Sequence, residues 1–388
     1  MTSAVIRGRG LTASAYETRR PDLILTGALM LLGVLSVLMI YSASAPRAEL
    51  LGADPASEAQ KQAVIVFVGL VLFGVGSLIE HRTVHTVAPV MYAGAVLALA
   101  AVLIWGREVN NAVSWFSVFG FQFQPSEWTK TAVIVMLAAL LAPALENKIG
   151  WRRVFTALGL MGVPVALIAA QPDLGTLLVV AVLSAVMLFA AGASMRQLGL
   201  LLGGSGLSIW FAYNRGWLTL VEERIDAWLN PEQNALAVAF QPLQSQIAIG
   251  SGGFSGRGLF EGTQTNLSFI PEQTTDFIFT AVGEQLGFIG GALLIATYAV
   301  IVWRLLRTAA AAEDRFGMLV AIGVAAMLTF HVFVNVGMTL GIMPVTGIPL
   351  PFMSAGGSSF TAMAFALGIT HSIWLHRSKV PARKPSIG

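Results

Sequence analysis

The sequence predicts an all-α polytopic membrane protein with about ten transmembrane helices and a long outer loop containing a re-entrant or interfacial segment. Three observations support this fold class. Of 388 residues, 56% are hydrophobic and only 11% are charged, whereas soluble domains carry about 25% charged residues. Long apolar runs recur along the chain, and lysine and arginine concentrate in alternate connecting segments. Lipid can solvate this much apolar surface directly, which a soluble fold of this length cannot hide.

The apolar runs define the individual spans. A spanning helix needs roughly 17–25 mostly apolar residues. The candidate spans are residues 22–43, 62–79, 87–105, 127–145, 154–170, 174–191, 197–212, 276–303, 316–340 and 358–375. Pro172 lies between the fifth and sixth spans and predicts a tight turn there. Residues 1–20 are polar and basic and lack the apolar region of a signal peptide, so we expect the first span to anchor the chain.

The positive charges predict the orientation, because cytoplasmic segments carry an excess of lysine and arginine. With the N-terminus inside, the inner segments hold Arg7, Arg9, Arg19, Arg20, Arg82, Lys148, Arg152, Arg153, Arg196, Arg304, Arg307, Arg315, Arg377, Lys379, Arg383 and Lys384. The outer segments hold only Arg47, Lys61, Arg107, Arg215, Arg224 and Arg257. This asymmetry predicts that both termini are cytoplasmic and that the number of spans is even.

We expect one membrane domain over residues 1–388. Its parts are a cytoplasmic tail (1–21), helices one to seven (22–213), a long extracytoplasmic loop (214–275), helices eight to ten (276–376) and a second cytoplasmic tail (377–388). Loops longer than about 12–15 residues are usually functional or disordered. The apolar stretch 235–249 is too short to span and is the expected re-entrant or interfacial segment. The absence of cysteine excludes disulfides, and a net charge of +3 gives no indication of nucleic-acid binding.

Glu127 and Lys130 open the fourth span and share one helix face, because they are three residues apart. A charge inside a span is costly and usually pairs or lines a cavity. The pair has two interpretations. It is a structural ion pair, with Asp173 within reach across the turn, or it marks a polar cavity that opens outward and holds an anionic ligand.

Asp276 is placed by the sequence in the first turn of the eighth span, after Pro271. Carboxylates there commonly cap the helix or complement its dipole. A carboxylate beside a long outer loop is also suited to act as a general base. The helix N-terminus would lower its pKa and burial would raise it, and the sequence leaves the balance open.

The segment from Asn335 to Ser359 contains Pro344, Pro349 and Pro351, which cannot continue a helix. Non-helical backbone at this depth must be buried in protein or line a cavity. His331 and Asn335 are four residues apart and are expected to form interhelical hydrogen bonds. Trp115 is typical of an interfacial anchor, and stacking on a sugar or packing against a lipid chain is the alternative.

Together these motifs resemble the SEDS family, the RodA and FtsW cell-wall polymerases of bacteria, over about residues 20–376. The resemblance rests on Gln124–Lys130, Gln171–Thr176, Gln244–Gly253, Pro271–Phe279 and Asn335–Ser359, in family order. The segments 344–349 and 269–273 look more like RodA, the elongation member, than FtsW, the division member.

The resemblance implies a peptidoglycan glycosyltransferase that polymerises lipid II on the outer face of the cytoplasmic membrane. It implies that Asp276 is the essential catalytic residue. The substrate-binding or supporting candidates are Trp115, Glu127, Lys130, Asp173, Arg224, Gln244, Ser245 and Arg257. The negative charge of the leaving pyrophosphate would be offset by Lys130, Arg224 or Arg257, or by a divalent cation such as Mg²⁺. No cofactor is certain, and the metal requirement is unknown.

The resemblance also implies a partner, a class B penicillin-binding protein with transpeptidase activity, besides lipid II and membrane lipids. Two departures from the family pattern are visible. Ser114 stands where many relatives have an arginine, and Ala239-Phe240 stand where many have glycine and an aromatic residue. The alternative functions are a flippase for lipid-linked precursor and a non-catalytic scaffold for cell-wall synthases. A flippase would have charged sites near the midplane, repeated halves and broken helices, none of which the sequence indicates.

Overall fold

A computed structural model describes residues 20–109, 112–118, 121–143, 149–216, 218–234 and 239–377. Most of both predicted tails, Lys148 and the start of the apolar stretch at 235–238 lie outside these residues. The long helices are α1 (Leu23–Leu50), α2 (Ser57–Leu78), α3 (His81–Trp105), α4 (Pro125–Leu141), α5 (Trp151–Ala169), α6 (Leu174–Ala190), α7 (Met195–Asn214), α11 (Ile278–Ala311), α12 (Arg315–Thr339) and α13 (Gly357–Leu375). The shorter elements are β1 (Arg107–Val109), β2 (Ala112–Val118), β3 (Phe121–Phe123), α8 (Thr219–Leu229), α9 (Phe240–Gly252) and α10 (Thr263–Asn266).

Each predicted span coincides with one of these long helices. In the described part of the chain, α1, α2, α3, α5, α11 and α12 are long and apolar enough to cross a membrane. Helix α6 is equally apolar but has 17 residues, a length of about 25 Å at 1.5 Å per residue. The polytopic all-helical prediction is therefore confirmed, with the small sheet described below as an addition.

The core of the bundle lies around α4, α12 and α13. Most residues of these helices are buried, including Ser126, Glu127 and Lys130 in the first turns of α4. By contrast, Gln197 is the only buried residue of α7 in the described part of the chain. An exposed apolar helix surface is what lipid covers in a membrane protein. The polar residues of α4 are thus enclosed by neighbouring helices and do not face lipid.

Helix α11 is broken at Gly287, whose φ of 65° and ψ of −162° are not helical. The loop that follows α9 packs into the break: Phe288 N–H donates to the Gly253 carbonyl at 2.9 Å, and Arg257 N–H donates to the Glu284 carbonyl at 3.0 Å. Freed backbone groups within a membrane bundle need such partners. The sequence did not indicate a broken helix, so that expectation was wrong. The break is filled by the loop.

The loops after α3, α7 and α12 gather at one end of the bundle, here called the loop end. The loop predicted near 106–125 forms the antiparallel sheet β1-β2-β3, which the all-α prediction did not include. The long loop contains α8, α9 and α10. Helix α9 contains most of the apolar stretch 235–249 and packs against α11 and α12 at the loop end. With 13 residues it is too short to span a membrane.

Candidate functional site

Asp276 lies in the turn formed by residues 271–277, immediately before α11. The helix begins at Ile278, and its N-cap residue is Phe277, which makes no side-chain capping bond. The sequence placed Asp276 within the first helical turn, and that position was wrong by two residues. Among the described residues, no hydrogen bond ties its carboxylate to the helix N-terminus, so capping does not explain this acid.

The turn is fixed to the proline-rich segment that follows α12. Asn335 on α12 donates through Nδ2 to the Asp276 carbonyl and to the Ile348 carbonyl, both at 2.8 Å. Ala355 N–H donates to the Thr274 carbonyl at 2.7 Å. Gly347, at φ +71°, lies beside the carboxylate: a Cβ there would be 3.5 Å from Oδ2 of Asp276. The buried Asn335 thus joins the two segments that form the site, and it does so through loop backbone.

The environment of Asp276 favours its protonated form. Burial raises the pKa of Asp276 to about 7. The nearby negative charges of Glu272 and Asp173 raise it by smaller amounts, and the positive charge of Arg224 lowers it. The effect of burial on this pKa is larger than that of Arg224, because the buried carboxylate loses its hydration. A group with a pKa near 7 accepts and releases protons readily at neutral pH, as a general base must.

Asp173 reaches this site from the turn between α5 and α6. Its Oδ1 accepts from Thr176 N–H at 3.0 Å, and its Oδ2 accepts from Gln124 Nε2 at 3.2 Å and Ser126 Oγ at 3.3 Å. Gly175, the second residue of α6, leaves room for the 346–348 segment, since a Cβ there would be 3.0 Å from the Thr346 carbonyl oxygen. Small size at position 175 therefore brings Asp173 close to Asp276.

Glu127 and Lys130 form a buried ion pair, with Lys130 Nζ 2.7 Å from Glu127 Oε1. Lys130 is 1% exposed and also donates to His331 Nε2 on α12 at 2.9 Å. Since an ammonium only donates, Nε2 must accept, and Nδ1–H then donates to the Met327 carbonyl. The expected interhelical bond of His331 is present. The described bonds do not connect Lys130 to Asp173, which is bound by Gln124 and Ser126 instead.

The two candidate arginines have different surroundings. Arg224 on α8 influences Asp276 electrostatically, and its guanidinium donates to the Thr346 carbonyl at 3.4 Å. It also lines a cavity of about 240 Å³ with Trp228 and Met343. Arg257 is bound to the Ser251 carbonyl and the Thr263 hydroxyl within its own loop. Of these two cations, Arg224 is the one that acts on Asp276.

The remaining predicted site residues are farther from Asp276 in the bonding network. Ser245 is fully buried and joins α9 to its neighbours, through Thr280 at 2.5 Å and the Thr339 carbonyl at 2.8 Å. Gln244 is half-buried on the same helix. Trp115 lies in β2, where it pairs with Arg107 across the sheet. The structure thus brings Asp276, Asp173 and Arg224 together. Ser245, Gln244 and Trp115 lie in the surrounding elements α9 and β2.

Two carboxylates that the sequence did not single out contribute to the site. Glu272 raises the pKa of Asp276 and holds the Thr275 hydroxyl at 2.8 Å. Glu284 is fully buried on α11 and accepts from Gln264 N–H, Thr265 N–H and the Thr265 hydroxyl at 2.7–3.0 Å. Thr265 in turn accepts from Gln273, next to Thr274. An acid within a predicted span was the signal that could have identified Glu284.

The described residues contain no group of three or more histidine, aspartate or glutamate side chains arranged to hold a metal ion. A divalent cation at Asp276 would complete its coordination with oxygen atoms of water or of the substrate. Mg²⁺ is commonly bound in this way, through one or two carboxylates plus substrate phosphates.

The fold and the site define a polytopic membrane protein with a buried acidic site at one end of its bundle. The family described as cell cycle protein, comprising FtsW, RodA and SpoVE, matches residues 22–379. The chain belongs to this family, the SEDS family, as its motifs indicate. It is similar to peptidoglycan glycosyltransferase MrdB of Escherichia coli, with 38% identity covering 90% of this chain and 92% of the relative.

Two solved structures share the fold. One belongs to a study of structural coordination of polymerization and crosslinking by a peptidoglycan synthase complex, with a TM-score of 0.77, 31% identity and coverage of 92% of this chain and 99% of the other. The second is rod shape determining protein RodA of Thermus thermophilus, with a TM-score of 0.68, 29% identity and coverage of 92% and 98%. The agreement extends over nearly the whole membrane bundle.

Proposed function

We propose that this chain is a peptidoglycan glycosyltransferase that polymerises lipid II into glycan strands. The observation that carries the proposal is Asp276, a carboxylate of pKa about 7 fixed between α11 and the 346–355 segment at the loop end. The membership of the SEDS family and the similarity to a peptidoglycan glycosyltransferase support the same activity. The similarity to RodA favours a role in cell elongation.

In the proposed reaction, Asp276 accepts the proton of the acceptor GlcNAc 4-hydroxyl as that oxygen attacks C1 of the donor MurNAc. The new glycosidic bond forms while the bond from C1 to undecaprenyl pyrophosphate breaks. A base on the face opposite the leaving group inverts the configuration at C1, as in inverting glycosidases. The proton then passes from Asp276 to solvent, which regenerates the base.

The leaving pyrophosphate needs a positive group near Asp276. Arg224 is suited to this role because its charge already acts on the carboxylate and it borders the 240 Å³ cavity. Lys130 is enclosed and engaged by Glu127 and His331. We assign Lys130 to bracing the site and Arg224 to the pyrophosphate, and retain a substrate-held divalent cation as an additional source of charge.

The direct test is incubation of the purified chain with lipid II in detergent. A polymerase produces glycan chains, with release of undecaprenyl pyrophosphate. A flippase moves lipid II across vesicle membranes without forming chains, and a scaffold does neither. Absence of glycan product from a folded chain that binds lipid II would contradict the proposal.

The rate of polymerisation should depend on pH through Asp276. The base acts in its deprotonated form, so kcat/KM should fall about tenfold for each unit of pH below about 7 and level off above it. Glu272→Gln removes the neighbouring charge that raises this pKa, so the midpoint should move to lower pH. The measurement is the initial rate of glycan formation from pH 5 to 9. A flat profile through pH 7 would exclude Asp276 as the base.

We further propose that the loop end faces the periplasmic or external side and that both termini are cytoplasmic. The excess of arginine and lysine on the opposite segments supports this orientation. Substrates with prenyl anchors are confined to the membrane plane, so a polymerase site at the membrane surface can meet both. The localisation is the cytoplasmic membrane of a bacterium.

The orientation can be measured cleanly because the chain has no cysteine. Glu261→Cys, at an exposed position of the loop end, should react with a membrane-impermeant maleimide in intact cells or spheroplasts. Ala310→Cys, exposed near the other end of α11, should react only after the membrane is permeabilised. Both variants should react fully in detergent. The reverse pattern would invert the topology and remove Asp276 from the outer surface.

The partner of this polymerase is a class B penicillin-binding protein, a transpeptidase. This assignment is supported by the structural match to a chain studied as part of a peptidoglycan synthase complex that coordinates polymerization and crosslinking. The high coverage of both chains supports transferring the role to this bundle. Copurification of the two proteins from membranes is the corresponding test.

A further inference from the structure

Glu284 is a buried carboxylate that the proposed reaction does not use. It lies near the start of α11 and is fully buried. It belongs to none of the ion pairs between described side chains. An acid within a spanning helix is costly to insert, and such residues usually serve a function. The groups that bind Glu284 therefore indicate what it does.

The Glu284 carboxylate binds one segment of the long loop. Its Oε1 accepts from Gln264 N–H at 2.8 Å, and its Oε2 accepts from the N–H and the hydroxyl of Thr265 at 3.0 and 2.7 Å. The loop passes close to the carboxylate, since a Cβ on Gly262 would be 2.8 Å from Oε2. Hydrogen bonds to an ionised carboxylate are roughly twice as strong as neutral ones. Glu284 thus fixes this segment to α11.

Gln285 fixes the same segment at its other end. Phe260 N–H donates to Gln285 Oε1 at 3.1 Å, and the Ser42 hydroxyl on α1 donates to the same atom at 2.8 Å. Gln285 is also buried. Residues 260–265 are therefore fastened to α11 by two consecutive side chains. A segment held at both ends can position a further element.

That further element is the Asp276 turn. The buried Thr265 hydroxyl donates to Glu284 and accepts from Gln273 Nε2 at 2.9 Å, which one hydroxyl can do at the same time. Gln273 is buried and lies in the 271–277 turn, three residues before Asp276. The Thr265 hydroxyl thus connects the buried carboxylate to the turn that carries the proposed base.

We propose that Glu284 is a positioning residue that holds the Asp276 turn in place for proton transfer. It acts through the Thr265 hydroxyl and the Gln273 amide. The inference rests on the proposed function, in which Asp276 is the base. A general base must lie within about 2.6–3.2 Å of the atom that gives up its proton. Asn335 attaches the turn to the segment after α12, and the connection to Glu284 attaches it to α11.

Thr265→Val removes the connection with little change in shape, and it keeps the N–H bonds to Glu284. The kcat of polymerisation should fall roughly 10- to 100-fold, because small misplacements of a reacting group have effects of this size. KM for lipid II should change little, since the turn is displaced and the substrate contacts are not removed. Thr265→Ser retains the hydroxyl and should restore kcat.

The pH profile gives a second readout. Burial raises the pKa of Asp276 to about 7, and a loosened turn admits water to the carboxylate. The midpoint of kcat/KM should therefore move to lower pH in Thr265→Val and return in Thr265→Ser. Glu284→Gln should have the same effects, but it also disturbs two N–H groups of the loop. Thr265→Val is therefore the sharper variant.

Thr263→Val is the matched control, because it makes the same change in the same short helix. Thr263 is exposed, and its hydroxyl lies 3.4 Å from Glu284 Oε1 without a described bond to Gln273. It should keep the wild-type kcat. Gln273→Met removes the connection from the other side. The double variant Thr265→Val with Gln273→Met should be no slower than either single variant, because both remove the same bond. Effects that multiply would contradict the connection.

Hydrogen–deuterium exchange measures the turn without turnover. The amides of Asp276 and Phe277 donate to the Glu272 carbonyl at 3.0 and 3.1 Å. Both should exchange faster in Thr265→Val than in the wild type or Thr263→Val. A role in stability alone would lower the melting temperature and leave kcat and the pH midpoint of the folded protein unchanged, and that result would overturn the assignment.

The outcomes separate this inference from the proposed function. If Thr265→Val keeps the wild-type kcat and pH midpoint, the positioning role is overturned, whereas glycan formation by the wild type still supports the polymerase. If the wild type forms no glycan but Thr265→Val speeds exchange in the turn, the polymerase proposal fails and the attachment of the turn to Glu284 stands.

Discussion

Asp276→Asn should reduce polymerisation by roughly 10²–10⁴-fold, the usual contribution of a general base. The amide has nearly the same shape as the carboxyl group but cannot accept the proton of the acceptor hydroxyl. Binding of lipid II should change little, so the loss appears in kcat. Glycan chain formation from lipid II by the purified variant is the measurement. Polymerisation at the wild-type rate would rule out Asp276 as the base.

The same variant should keep or increase the stability of the fold. The pKa of Asp276 is raised to about 7, so the folded state favours the protonated carboxyl group, and this stabilisation is lost as pH rises through about 7. Asparagine stays neutral throughout. The melting temperature of the variant should therefore exceed that of the wild type at pH 8. The difference should shrink as the pH falls and vanish below about pH 4, where the carboxyl group is protonated in the unfolded chain as well. A large loss of stability would mean that the activity defect reflects unfolding.

Glu272→Gln is the matched control for this experiment. It removes a carboxylate four residues away in the same turn and keeps the proposed base. The variant should polymerise lipid II, with its pH midpoint moved to lower pH, because the charge of Glu272 raises the pKa of Asp276. Equal loss of activity in both variants would indicate that the turn as a whole, and not the base, had been disturbed.

Lys130→Met should destabilise the bundle by about 3–5 kcal/mol, the usual effect of removing one partner of a buried ion pair. Among the described residues, Lys130 is the only hydrogen-bond partner of the Glu127 carboxylate. The substitution leaves that carboxylate uncompensated and His331 without its donor. Thermal unfolding in detergent is the measurement, and Lys61→Met, at an exposed position, controls for the change of residue type.

The double variant Glu127→Gln with Lys130→Met should regain most of the lost stability, since no unpaired charge remains buried. Its activity then separates the two interpretations of the pair. Recovery of both stability and polymerisation assigns the pair to bracing α4 against α12. A stable but inactive double variant assigns it to the ligand. A Lys130→Met variant as stable as the wild type would contradict the buried pairing itself.

The helices were predictable from the sequence, whereas the loop end was only partly so. Runs such as Leu23–Tyr41 identify a span because length and apolar character alone determine whether a helix can cross lipid. The three-stranded sheet around Trp115 was missed, since its strands have three to seven residues and are stabilised by pairing with one another. Short elements of this kind carry too little local pattern to be recognised.

The candidate site divides in the same way. Asp276 and Asp173 were identifiable because their motifs resemble a known family, and their proximity follows from the packing of Gly175 against the 346–348 segment. The second partner of Lys130, His331, was not identifiable. His331 is 201 residues away, and no local rule connects the two positions. Glu272 was not singled out by the sequence, because its effect on the pKa of Asp276 depends on distance within the folded turn.

The sequence by itself determined the membrane-spanning class, the positions of the helices and the motifs of the family, because apolar length and residue order are properties of the chain alone. Only the tertiary structure decided that Asp276 precedes its helix, that burial raises its pKa, that Lys130 pairs with His331, and that α11 breaks at Gly287. Each of these depends on desolvation or contact between segments far apart in the chain, which local sequence does not encode.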